Sequence, residues 1–497
     1  MPGKMNSQTK NEDISKIAKL LEISEETIKN SLEASYVKED TYVPLKTIRK
    51  TEQAIKNELL EIDGIKIIEK DERIYPLGEV ASHLLGYTRG ISEEELKEKR
   101  AEGYNEHSII GKTGVEKAYE NRLMAKNGAE IYIIDNEAKK IKTLAKKEAK
   151  NGEDIKLTID SDLQKALYEQ FKQDKSAEVA INPKTGEVLA LVSTPTFDSN
   201  DFSLGITEDK WNILTQNEAN PLYNRCLASY APGSSMKPIT GAIGINTESF
   251  TAEEDFGRST TKWQKDKSWG DFYISTLQTY SGPSNLQNAL IYSDNIYFAK
   301  AALKIGKENF ANELQKIGFN DQISFNLNMD KSIFSNSGKI SSEQALANSG
   351  YGQAEVLVNP IHMAMVYSAF ANNGNMIMPY LEYKVDETTP KYYKQNAFEK
   401  TTAEEIKKDL IQVVENPNGT AHSVKINGKT IAGKTGTAEI KASKNDKNGT
   451  EIGWFNSFTA DENSEKPLLI ISMVEDVKGR GGSHYILDKI KNIYENF

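Results

Sequence analysis

Ser234 and Lys237 stand three residues apart in the stretch Tyr230-Ala231-Pro232-Gly233-Ser234-Ser235-Met236-Lys237-Pro238-Ile239-Thr240-Gly241. The Pro-Gly pair sets a tight entry, and the small and apolar residues after it predict a loop running into a helix. On a helix, a spacing of three puts both side chains on one face. A serine hydroxyl is a weak nucleophile until a neighbour takes its proton. A lysine can take it if burial and nearby positive charge lower its pKa enough to leave it neutral. The free backbone N–H groups at a helix start suit an oxyanion. The chemistry implied is nucleophilic catalysis by an activated serine. The same spacing recurs at Ser7–Lys10 and Ser259–Lys262, which read as polar surface, so the pair carries weight only with other groups around it.

Two further segments follow in order, Ser293-Asp294-Asn295 and Lys434-Thr435-Gly436-Thr437. With Ser-x-x-Lys they make the three-part signature shared by penicillin-binding proteins and the related serine β-lactamases, which this chain resembles on that ground. Each part has decoys. Lys-Thr-Gly also occurs at Lys112-Thr113-Gly114 and Lys184-Thr185-Gly186, and Ser-x-Asn at Ser324-Phe325-Asn326. Both spare Lys-Thr-Gly copies precede Ser234, and Lys184 follows Asn182-Pro183, which reads as a turn between strands. Order and local context select one copy of each.

These groups need elements to hold them. Ala177 to Ile181 and Glu187 to Val192 flank the Asn-Pro-Lys-Thr-Gly turn and predict a hairpin. Residues 155–160 alternate as a strand, and Ser161-Asp162-Leu163-Gln164 opens a helix. Residues 195–230 read as loop-rich. Residues 296–317 and 342–372 read as helices, the second ended by Asn372-Asn373-Gly374. Thr430 to Ile440, Ile452 to Phe458 and Pro467 to Val474 predict an antiparallel meander, with a polar segment closing in Asn448-Gly449 between the first two. Lys434 thus lies on a strand where Gly433 and Gly436 admit another backbone, and residues 484–497 predict a helix over the sheet. Trp263, Trp269, Phe272 and Tyr273 form an aromatic cluster suited equally to lining a cleft and to plain packing.

The N-terminal part is less telling. Residues 13–34 follow a helix-turn-helix pattern, with Ser24 as a cap and Thr27-Ile28 after it. Glu25, Glu26 and Glu33 against a lone Lys29 would repel phosphate, so a structural helical pair is expected rather than a DNA reader. From 40 to 150, helices and short strands alternate, with Arg73-Ile74-Tyr75-Pro76-Leu77, His83-Leu84-Leu85-Gly86-Tyr87 and Gly114 to Glu120 as the distinctive stretches. The charged run Lys139 to Lys150 and Asn151-Gly152 mark a boundary. The expected division is 1–12 as a leader or linker, 13–151 as an N-terminal domain and 152–497 as the catalytic domain.

At 497 residues, with 38% hydrophobic and 27% charged residues, the chain can form two or more domains around a large core. A net charge of −10 and a pI near 5.4 argue against nucleic acid as the main partner. The lone cysteine, Cys226, excludes an intrachain disulfide and reads as a small buried residue. His83, His107, His362, His422 and His484 are scattered without metal-ligand spacing, so neither a metal nor a cofactor is expected. No apolar run of membrane-spanning length and no signal peptide is visible. Met1-Pro2-Gly3-Lys4-Met5 looks like an added leader on a trimmed, soluble form of a longer protein.

Beyond the three motifs, the chain resembles a class B penicillin-binding protein, a D,D-transpeptidase of the bacterial cell wall, from about residue 15 onward. Trp263 to Gly270 and Ser349-Gly350-Tyr351-Gly352-Gln353 are similar to the low-affinity, resistance-type branch that includes penicillin-binding protein 2a. The resemblance implies an α+β multidomain protein: a transpeptidase domain with a central antiparallel sheet sandwiched by helices, on an elongated N-terminal α+β pedestal of the dimerisation type. Arg73-Ile74-Tyr75-Pro76 and Gly114 to Tyr119 match pedestal motifs. It also implies extracytoplasmic work on a membrane-anchored parent, peptidoglycan stem peptides and β-lactam antibiotics as ligands, and a glycosyltransferase partner.

Carried over residue by residue, the resemblance implies that Ser234 attacks the D-Ala-D-Ala carbonyl and Lys237 accepts its proton. Ser293, helped by Lys434, relays a proton to the leaving amine, and Asn295 holds the substrate amide. The N–H groups of Ser234 and Thr437 form the oxyanion hole, and Lys434, Thr435 and Thr437 grip the carboxylate around Gly436. Asp294 is expected to be structural, and Glu439 to face either cleft or solvent. The alternatives are a D,D-carboxypeptidase or β-lactamase, or a β-lactam sensor or non-catalytic scaffold. β-Lactamases are much shorter and lack a pedestal, and intact Ser234, Lys237 and Lys434 disfavour a scaffold.

Overall fold

Five antiparallel strands form the central sheet: β1 (Ser176–Ile181), β2 (Val188–Thr194), β3 (Ile431–Ile440), β4 (Thr450–Thr459) and β5 (Leu469–Val474). Their order is β3–β4–β5–β1–β2. The computed structural model describes residues 11–35, 37–38, 41–384, 389–440 and 449–497. The leader up to residue 10, the Ser7–Lys10 pair and the polar segment up to Asn448 lie outside the described residues.

The β1–β2 hairpin turns where expected, with Asn182 Oδ1 accepting from the Lys184 N–H at 2.9 Å. β1 and β5 are buried along their whole length, which explains their unbroken runs of buried residues. Helix Pro360–Ala371 is buried at every residue and packs on β1 and β5. Ser161–Phe171 packs on β2, and His484–Asn496 lies against β4 and β5. Lys400–Glu415 flanks the edge strand β3. This is the expected sheet sandwiched by helices. Each fully buried aliphatic or aromatic side chain in it contributes roughly 1.5–3 kcal/mol.

Local chemistry sets where helices start and stop. Asp160 caps Ser161–Phe171 by accepting from the N–H groups of Asp162 and Leu163 at 2.9 and 3.0 Å. The single helix read over 296–317 is two, Asn295–Ile305 and Lys307–Lys316, parted by Gly306 at φ 83°. Likewise 342–372 splits into Glu343–Ser349 and Pro360–Ala371, parted by a segment with positive φ at Gly352 (79°) and Ala354 (63°), and Pro360 opens the second helix. Residues 155–160 are not a strand: Leu157 makes one isolated bridge to Glu382. The loop read over 195–230 contains helices Ser199–Ser203 and Glu208–Gln216, capped by Asp198 and Thr207.

The chain divides into two compact units, Met1–Glu153 with Thr196–Tyr223, and Asp154–Pro195 with Asn224–Phe497. The expected division places residues 196–223 in the second domain. In the structure this excursion belongs to the first unit, where Asn200 exchanges hydrogen bonds with the Tyr75 backbone, 2.9 Å in each direction.

Within the first unit, helices Asn11–Leu21 and Glu25–Glu33 share a small core of Ile17, Leu21, Ile28 and Leu32 with Leu59 and Ile62. Ser24 caps the second by accepting from the Thr27 N–H at 3.0 Å. Two of the three distinctive stretches meet on one carboxylate: Arg73 Nε and Tyr75 Oη donate to Glu116 Oε1 at 2.7 and 3.1 Å. The charged run Lys139 to Lys150 contains a strand, Lys140–Lys147, paired with Ala129–Ile134, and the division between the units follows it at Glu153, two residues from the expected boundary. No helix among the described residues is long and apolar enough to cross a membrane.

Candidate active site

Ser234 lies in a short 3₁₀ turn, Gly233–Met236, that runs directly into helix Lys237–Asn246. The helix expected over Ser234 therefore begins one tight turn early. In a 3₁₀ turn residues three apart eclipse, so Ser234 and Lys237 keep a common face. The turn is clamped from several sides. Trp454 Nε1 on β4 donates to the Ala231 carbonyl at 2.9 Å, and Tyr367 Oη donates to the Ser235 carbonyl at 2.8 Å. The Gly233 N–H donates to the Gly352 carbonyl at 3.0 Å.

Glycine is required where β3 meets this turn. A Cβ on Gly436 would fall 2.4 Å from Ser235 Oγ and 2.9 Å from the Pro232 carbonyl oxygen. Gly433 instead admits the Phe455 ring, 2.9 Å from where its Cβ would be.

Lys237 is fully buried, and its Nζ meets Ser293 twice and Asn295 once. The distances are 2.6 Å to the Ser293 carbonyl, 3.0 Å to Ser293 Oγ and 2.7 Å to Asn295 Oδ1. Lys434 Nζ stands 3.0 Å from the same Ser293 Oγ and 3.0 Å from the Thr435 carbonyl. Ser293 has a φ of 54°, a left-handed conformation unusual for serine. That backbone presents both its carbonyl and its hydroxyl to Lys237, and such strain persists only where the surroundings over-determine it.

Electrostatics favour neutral amines here. Burial strips water from the Lys237 ammonium and the Lys434 charge adds repulsion, while Asp294 opposes both, and the pKa lies well below the ordinary lysine value. Burial alone pushes Lys434 down to about 7.

The Ser234 hydroxyl, half-buried, makes no hydrogen bond among the described residues. Catalytic hydrogen bonds commonly tighten only once substrate is bound. Thr435 Oγ1 donates to Thr420 Oγ1 at 2.7 Å, and Thr437 Oγ1 accepts from the Ser483 N–H at 3.4 Å. The site residues read from sequence are thus gathered where β3, the 3₁₀ turn and the Ser293 loop meet.

Asp294 caps helix Asn295–Ile305, accepting from the N–H groups of Ile296 and Tyr297 at 2.8 and 3.3 Å and from Tyr280 Oη at 3.0 Å. Its carboxylate is buried and structural. Glu439 is exposed. The aromatic cluster packs: Trp269 and Ile274 share a core with Ile296, Ala299 and Ala347, and Trp263, Phe272 and Tyr351 lie against it. Thr420, Tyr367, Trp454, Ser483 and the Ser275 carbonyl, which accepts from Asn295 Nδ2 at 2.9 Å, carry no motif in the sequence. Only the tertiary contacts reveal them. Among the described residues no group of histidine, cysteine and carboxylate side chains is arranged to hold a metal.

Residues 177–495 match the penicillin binding protein transpeptidase domain family, and residues 1–157 the penicillin-binding protein dimerisation domain family. The chain is 39% identical to Penicillin-binding protein 3 of Bacillus subtilis (strain 168), over 100% of this chain and 73% of that protein. It is 29% identical to the peptidoglycan D,D-transpeptidase MrdA of Acinetobacter baumannii, over 88% of this chain and 70% of that protein. The structure of PBP2 from Helicobacter pylori in complex with MreC is similar with a TM-score of 0.77 at 26% identity, covering 100% of this chain and 93% of that one. Pseudomonas aeruginosa PBP2 in complex with WCK 5153 follows at a TM-score of 0.71 and 26% identity, covering 86% and 91%. None of these relatives is named as a low-affinity or resistance-type protein. With a transpeptidase domain behind a dimerisation domain, the chain belongs to the class B penicillin-binding proteins.

Proposed function

We propose that this chain cross-links peptidoglycan as a serine D,D-transpeptidase and is acylated at Ser234 by β-lactams. The observation that carries this is the meeting of Lys237 and Lys434 on one hydroxyl, Ser293 Oγ, 3.0 Å from each amine.

In the first step Ser234 Oγ attacks the carbonyl between the last two D-alanines, and neutral Lys237 accepts the proton. The N–H groups of Ser234 and Thr437 receive the oxyanion, each donor being worth about 3 kcal/mol. The C–N bond then breaks. Ser293, backed by Lys434, delivers the proton to the departing D-alanine amine, leaving an ester on Ser234. Asn295 steers the substrate amide, and Thr435, Thr437 and Lys434 hold its carboxylate. The amine of a second stem peptide attacks the ester, forms the new amide and returns a proton to Ser234. A β-lactam forms the same ester but blocks the second amine.

A peptidoglycan substrate, as in the name of the MrdA relative, supports a site of action on the outer face of the bacterial membrane, and anchoring there is proposed on the family resemblance alone. The Helicobacter pylori neighbour was solved with MreC rather than with a glycosyltransferase. A glycosyltransferase partner is thus proposed on the family resemblance alone, and co-purification from a wall-synthesis complex tests it.

Turnover of a stem-peptide thioester with and without a D-amino-acid acceptor tests the reaction. Transfer product by mass spectrometry is expected, whereas release of free acid alone would make the protein a hydrolase. Ser234→Ala should lose the labelled-penicillin adduct in intact mass while staying folded, and retained labelling would move the nucleophile elsewhere.

A further inference from the structure

The aromatic cluster has no part in the reaction as written, yet it ends on a catalytic group. Strands Lys262–Trp263 and Ile274–Ser275 pair antiparallel, Lys262 opposite Ser275 and Trp263 opposite Ile274. The Ser275 carbonyl accepts from Asn295 Nδ2 at 2.9 Å. The hairpin is held from below by Trp269 and Ile274, both buried against Ile296 and Ala299 of the helix that begins at Asn295. Trp263 and Trp269 meet edge to face at 5.5 Å. Gln264 Nε2 ties the tip by donating to the Gly270 and Phe272 carbonyls.

A side-chain amide has an accepting end and a donating end, and its neighbours decide which way round it sits. Here Oδ1 faces Lys237 Nζ at 2.7 Å, and the NH₂ faces the Ser275 carbonyl. Turned over, Oδ1 would oppose that carbonyl, acceptor against acceptor, and the NH₂ would face the lysine. A neutral lysine amine has two hydrogens and one lone pair. The Ser293 carbonyl at 2.6 Å and Asn295 Oδ1 at 2.7 Å take the two hydrogens, which leaves the lone pair for hydroxyl protons. With the amide reversed, an Asn295 N–H would occupy that lone pair.

We infer that the Lys262–Ser275 hairpin is a positioning element, whose Ser275 carbonyl locks the Asn295 amide and thereby directs the proton-accepting lone pair of Lys237. The inference rests on the reading of Lys237 as the base. It makes Trp269 a positioning residue that acts through Ser275 and Asn295.

The test is stopped-flow acylation of the whole chain by a labelled penicillin, fitted for non-covalent affinity and acylation rate separately, across pH. Trp269→Ala should slow acylation about tenfold or more while non-covalent affinity stays within about threefold. Losing Oδ1 as an acceptor destabilises the Lys237 ammonium, so the acid limb of the rate profile should move to lower pH. Trp269→Phe, which keeps a ring in the core, should restore both. A lowered Tm with wild-type acylation rate and pH profile would make the hairpin mere packing and overturn the inference. If Trp269→Ala does not fold by circular dichroism, Gln264→Ala, which unties only the tip, is judged by the same two readouts. Wild-type protein that takes no label would instead defeat the functional reading itself.

Discussion

Lys237 Nζ and Lys434 Nζ each stand 3.0 Å from a single oxygen, Ser293 Oγ. A hydroxyl can accept one hydrogen bond while donating another. It can therefore accept the proton that Lys237 has taken up and pass its own to a leaving amine, with Lys434 held beside it. Burial, with repulsion from the Lys434 charge added, holds the Lys237 pKa far below the ordinary lysine value and favours its neutral amine.

Ser293→Ala should break that bridge with little change in packing, because Ser293 is only half-buried. Acylation by a labelled penicillin should fall about 10²–10⁴-fold, the usual range for a lost proton-transfer group. A near-normal rate would remove Ser293 from the proton path.

The pH dependence of substrate capture follows from Lys434. Its pKa of about 7 is depressed by burial, so the charge that attracts a carboxylate is present below that value and lost above it. Second-order acylation by a carboxylate-bearing β-lactam should therefore decline as pH rises from about 7 towards 9. In Lys434→Ala that decline should vanish along with most of the affinity, and a persistent decline would assign it to another group.

Gly436→Ala tests the contact between β3 and the nucleophile turn. The new Cβ would lie 2.4 Å from Ser235 Oγ, so strand and turn must separate. Overpacking of this kind costs about 1–3 kcal/mol. Thermal unfolding should show the loss and acylation should slow as the turn shifts. A variant equal to wild type in both would mean that the contact is slack.

Asp409, buried on helix Lys400–Glu415, receives Gln287 Nε2 on Oδ1 at 2.9 Å, while Oδ2 has no partner among the described residues. Burial raises its pKa from 3.8 to about 7, with Gln287 opposing. The native state then binds the extra proton between those values, so stability falls as pH rises through that window. Asp409→Asn keeps the Gln287 bond, stays neutral, and should flatten this fall. Above pH 7 the variant should be more stable by a few kcal/mol, up to about 4. Denaturant melts at pH 5 and 8 decide it, and an equal pH slope in both proteins would show that Asp409 is not the group responsible.

The residue types and their order alone singled out Ser234, Lys237, Ser293, Asn295 and Lys434 as one candidate constellation, and in the structure the last four stand in hydrogen-bond contact. The short apolar runs around Val179, Leu191 and Ile470, each bounded by turn residues, likewise announced strands of the sheet. Other features were invisible at that level because they are decided by partners far along the chain. Whether Trp269 lines a cleft or packs depends on Ala299 and Ala347, and the orientation of Asn295 depends on a backbone carbonyl at Ser275, which any residue type would supply. The left-handed φ of Ser293 and the clamp of Tyr367 on the Ser235 carbonyl are of the same kind. Sequence names the groups that can react. Their protonation and direction are set by burial and by neighbouring backbone, which exist only once the chain has folded.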